Sequence, residues 1–84
     1  MDNTTLDLTA RFYTAQDSRR AINALERLGI DVEGPTPVRP IDGRPWQIEA
    51  LVPTDGMTQR YPRPVLLDKF DTVVLQCNGS TQKV

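Results

Sequence analysis

The chain has no histidine, a single cysteine and only five aromatic residues among its 84. Without histidine, Ser-His and Cys-His catalytic pairs are excluded, and so are most zinc sites. One cysteine cannot close a disulfide within the chain, and it fits a reducing compartment. Apolar runs stop at three or four residues, as in Val65-Leu66-Leu67 and Val73-Val74-Leu75, whereas a membrane-spanning helix needs about 20. The start, Met1-Asp2-Asn3-Thr4-Thr5, has no basic stretch leading into an apolar one. No signal peptide is expected, and the expected location is the cytoplasm. An excess of either charge is also missing. Ten basic residues stand against eleven acidic ones, a formal −1, which argues against a protein that tracks phosphates. No Gly-rich phosphate loop or dinucleotide fingerprint occurs, and no cofactor or metal is expected.

What is present is a globular mixture, 38% hydrophobic and 25% charged, enough for one small domain. Leu6, Leu8, Ala10 and Phe12 alternate with polar residues, a period of two that predicts a half-buried strand over residues 6–13. A helix is predicted over 15–28. Thr14 serves as its N-cap and Asp17 stands in its first turn, Ala21, Ile22, Leu25 and Leu28 share one face, and Gly29 ends it. Residues 30–33 alternate again and predict a short strand. Three prolines between Gly34 and Pro40 predict an extended loop, with Asp42-Gly43 as a turn. Trp46, Ile48, Ala50 and Val52 mark the inner side of the next strand. Residues 54–64 read as a second loop, 65–67 as a short strand or turn, 68–71 as a turn and 72–77 as a last strand. The expectation is one α+β domain over residues 1–77, with a flexible tail over 78–84. It has a mostly antiparallel sheet of three to five strands in the order β-α-β-β-β, one helix on one face, and a ferredoxin-like half-fold.

The stretches Arg11-Phe12-Tyr13-Thr14-Ala15-Gln16-Asp17, Ala21 to Gly29 and Trp46-Gln47-Ile48-Glu49-Ala50 resemble the βαββ opening of the ribonuclease E inhibitor B family. The resemblance covers residues 6–53 and implies a regulatory, protein-binding role. The C-terminal helix and aspartate-rich motif of that family have no counterpart here, so no family site residue is carried over.

The candidate functional residues are those of an interface. Arginines outnumber lysines eight to two, and arginine and tyrosine are typical anchors of protein contacts. Arg39, Arg44, Arg60 and Arg63 fall in the two proline-rich loops, with Tyr61 among them. Arg11 and Tyr13 lie on the strand face turned away from the helix, with Asp7, Glu49 and Leu51. If those strands are neighbours, Asp7, Arg11 and Glu49 can form cross-strand ion pairs, but the first reading of this face is a solvated surface, with a partner covering it as the alternative. Asp68 and Asp71 are the nearest carboxylate pair, and they read as turn residues rather than as an acid–base couple. Trp46 is expected in the core, and Cys77 as a small buried hydrophobe. The leading reading is a non-catalytic module that binds another protein, as a regulator or inhibitor, and acts by steric blocking. A phage or mobile-element anti-defence protein would be one such case. The alternatives are a nucleic-acid-binding accessory protein and a self-associating module, a homodimer.

Overall fold

A computed structural model describes residues 5–41, 43–53 and 63–82. The element order is β1 (Thr5–Phe12), α1 (Ala15–Arg27), β2 (Asp31–Ile41), β3 (Arg44–Pro53), α2 (Arg63–Gln76) and β4 (Ser80–Gln82). The architecture is α+β. Four antiparallel strands lie in the order β2-β3-β1-β4, and two helices pack on them.

Local sequence explains the first half. β1 alternates, and Ala10 and Phe12 are fully buried, while Asp7 between water and sheet stays exposed. The Thr14 hydroxyl accepts from the Asp17 backbone N–H at 3.0 Å, which caps α1. Ala21 and Leu25 bury the inner stripe, and Gly29 supplies the left-handed residue, φ 86°, after the last turn. Ser18 is also buried in that stripe, its hydroxyl donating to the Ala15 carbonyl at 2.6 Å. β3 repeats the alternation, with Ile48, Ala50 and Val52 buried and Trp46 packed against their margin.

The second half departs from expectation. Residues 63–76 form a helix of 14 residues, not a turn between two short strands, so the order is β-α-β-β-α-β and the sheet is covered by two helices rather than one. Leu66, Phe70, Val74 and Cys77 recur at helical spacing and are all buried. Pro64 is tolerated in the first turn, where its missing N–H has no partner to lose. Asn78, at φ 62°, takes the left-handed position after the last turn. Asp68 and Asp71 therefore sit one turn apart on α2.

Two further corrections concern strands. The proline-rich segment 34–40 is not a loop but part of β2. It tolerates prolines because it lies at the sheet edge, where a strand's outer N–H groups pair with nothing. Its pairing with β3 slips between Glu33 and Thr36 and again between Pro37 and Ile41, the bulges that prolines demand. Ser80–Gln82, expected in a tail, pair with Thr9–Arg11 as the opposite edge. The core is one cluster, joining Ala10, Phe12, Ile48, Ala50 and Val52 of the sheet to Ala21 and Leu25 of α1 and Leu66, Phe70 and Val74 of α2.

Candidate protein-interaction surface

Both helices cover the same side of the sheet, because the buried positions of β1 and β3 are all even-numbered and belong to one cluster. The odd positions point the other way. No described element lies over them. The register arranges this uncovered face in rows. Asp31, Leu51 and Asp7 form one row, and Glu33, Glu49, Thr9 and Gln82 the next. Thr36, Gln47, Arg11 and Ser80 form the third.

At the end of the third row the fold gathers side chains that are far apart in sequence. Arg11 donates through Nε to Gln47 Oε1 at 3.1 Å, and through a terminal nitrogen to the Arg39 carbonyl at 3.1 Å. Arg44 opens β3. Its guanidinium lies 4.3 Å from the centre of the Tyr13 ring, and its Nε donates to the Asn78 carbonyl at 3.2 Å. Tyr13 remains 47% exposed, so one face of the ring carries the guanidinium while much of the side chain meets solvent. Four of the expected interface residues, Arg11, Tyr13, Arg39 and Arg44, thus share one end of the sheet. Arg60 and Tyr61 lie outside the described residues. Arg63 begins α2, while the helix's last turn runs toward Arg44; with 14 residues in the helix, about 20 Å of axis separates Arg63 from that end.

No ion pair forms among Asp7, Arg11 and Glu49. Glu49 faces Thr9 in β1 and Arg11 faces Gln47, so the guanidinium is held by an amide and a carbonyl. On the helix side, Asp71 accepts from the Thr81 hydroxyl at 3.1 Å, which ties α2 to β4. The described ion pair between Asp17 and Arg20 is a surface contact within α1, 3.4 Å long. Cys77 is buried, and burial pushes its thiol above the ordinary value. That is the opposite of an activated nucleophile. No three potential metal ligands converge among the described residues. A groove of about 410 Å³ between the helices is lined by Ala24, Arg27, Leu28, Asp68, Lys69, Thr72 and Val73, and only one carboxylate reaches it.

Sequence reading missed Asp31 and Glu33 as members of the uncovered face. The alternation of residues 30–33 marks a strand, but only the register of β2 against β3 puts these two on that face. It missed the Asn78 carbonyl as well, because only the left-handed turn after α2 brings it to Arg44.

No protein-family model, no curated protein and no solved structure matches the chain.

Proposed function

We propose that this chain is a small non-catalytic module that binds another protein and regulates or inhibits a larger enzyme or complex by steric blocking. The observation that carries this reading is that Arg11, Tyr13, Arg44 and the Arg39 backbone meet at one end of the sheet, beside a face that no described element covers. Arginine stacked on a half-exposed tyrosine is a preordered anchor, so little side-chain freedom remains to be lost on binding. The β-α-β-β-α-β order is the split βαβ pattern of ferredoxin-like modules. A fold of that kind serves many functions, so the site and not the fold supports the role. The resemblance of residues 6–53 to the ribonuclease E inhibitor B family fits a regulator, and an anti-defence protein of a phage or mobile element belongs to the same class of steric blocker.

The test is affinity capture from the source cells, comparing the natural chain with the double variant Tyr13→Ala/Arg44→Ala. A protein held by the natural chain and lost by the variant, with the variant's thermal transition intact, supports the reading. Equal capture by both rejects this end of the sheet.

A further inference from the structure

The uncovered face is acidic, and its charge is not neutralised from within. Its three rows hold Asp7, Asp31, Glu33 and Glu49 against one cation, Arg11, in a chain whose formal charge as a whole is −1. None of the four carboxylates makes an ion pair with a described residue. Arg11 donates instead to Gln47 and to the Arg39 carbonyl. Glu33 stands directly opposite Glu49, an arrangement that destabilises a sheet. Asp31 and Asp7 flank Leu51 in the next row. Leu51 is half-buried, while Asp7, Asp31 and Glu33 are exposed. With strands about 4.8 Å apart and alternate residues about 7 Å apart, the four carboxylates lie around Leu51 in a patch about 10 Å by 7 Å.

We infer that this face docks a basic segment of a partner protein, with an arginine laid over Leu51 and its guanidinium shared by Glu33 and Glu49. The chemistry of the patch selects that occupant. An arginine has a long apolar stem that covers Leu51 and a planar fork that takes two carboxylates. A metal ion fits less well, because no three potential ligands converge among the described residues. An acidic or phosphate-bearing partner is repelled. The two glutamates oppose each other in the free sheet and become favourable when a cation enters between them, so the charge placement favours association with that class of partner. This docking rests on the chain being a protein-binding module, as proposed above, and adds the charge of the partner. It uses the face beside Tyr13 and Arg44 and not those two residues.

The test follows backbone amide shifts of the natural chain as a capped pentapeptide, arginine alternating with threonine, is added to ~5 mM in ~20 mM salt. Saturable shifts are expected at residues 7–9, 31–33 and 49–51. Glu33→Gln/Glu49→Gln should weaken binding about fivefold or more. Glu26→Gln/Asp68→Gln removes the same charge from exposed positions on the helices and should leave affinity within about twofold. No saturable shift, shifts centred on the helices, or equal weakening by both pairs overturns the inference. Spermidine bound as tightly at the same residues also overturns it, since any polycation would then suffice. If the Glu33→Gln/Glu49→Gln chain fails to fold, the natural chain still decides: its affinity should fall about fivefold or more between ~20 and ~200 mM salt, and salt independence overturns the pairing. A target lost by Tyr13→Ala/Arg44→Ala but kept by Glu33→Gln/Glu49→Gln overturns the basic contact and keeps the proposed function. Saturable peptide binding by a chain that captures no target does the reverse.

Discussion

Gly79 is the tightest point of the chain. A Cβ built there would lie 2.5 Å from Cε2 and 2.7 Å from Cδ2 of Phe12, and 2.9 Å from Cγ1 of Val74. Phe12, at the end of β1, is fully buried, so its ring has no space to retreat into. Only glycine lets the chain pass from the end of α2 to β4 over that ring. Gly79→Ala is expected to destabilise the fold by about 1–3 kcal/mol through overpacking, read as a lower urea midpoint at unchanged slope. Cys77, two residues earlier, gives a pH signature. Burial raises its thiol above the unfolded value, so at alkaline pH the unfolded chain loses that proton more readily than the native one. The native state then binds more protons, and stability falls as pH rises. The contribution is fully present below the unfolded thiol's pKa and is lost above it. Cys77→Val should flatten the decline of stability between about pH 8 and 10 relative to the natural chain, and in the folded natural chain the thiol should react slowly with a disulfide reagent at pH 8.

At the scale of elements, α1 and α2 show what makes a helix legible. α1 announces itself with a cap at Thr14, an acidic first turn, a left-handed glycine and apolar residues on one stripe. Helix α2 carries the same stripe in Leu66, Phe70, Val74 and Cys77. Its strongest local signal, however, is Val73-Val74-Leu75, three residues that favour strands or two-sided burial. The stripe was the better guide, because packing against the sheet outweighs propensities of a few tenths of a kcal/mol. Residues 34–40 of β2 read as a loop for the converse reason. Prolines break the alternation, and only an edge position, which depends on β3 and β1 pairing with each other, makes a strand of that segment. The interface set divides similarly. Arg11 and Tyr13 were placed by their own strand, whereas the meeting of Arg44 with Tyr13 depends on the long-range pairing of β1 with β3. The helix assignment makes a sharp forecast for neighbours on α2. Leu66→Ala should cost about 2–5 kcal/mol. Leu75→Ala, at a site 70% exposed, should stay within about 0.5 kcal/mol. Urea titration of the pair checks it.

For the molecule as a whole, one face of the sheet is optimised for packing and the other is not. The helix side gathers every large apolar residue of the core, whereas the bare side keeps Glu33 opposite Glu49 and leaves Leu51 between Asp31 and Asp7. That conflict with local stability fits the contact surface proposed above. Glu33→Lys separates the two demands. In the monomer it replaces a cross-strand repulsion by an attraction, so the variant should be more stable than the natural chain by about 0.2–1 kcal/mol. The gain should be read at low protein concentration and should shrink as salt screens both charges. A variant that is less stable than the natural chain would show that the carboxylate pair holds the sheet together.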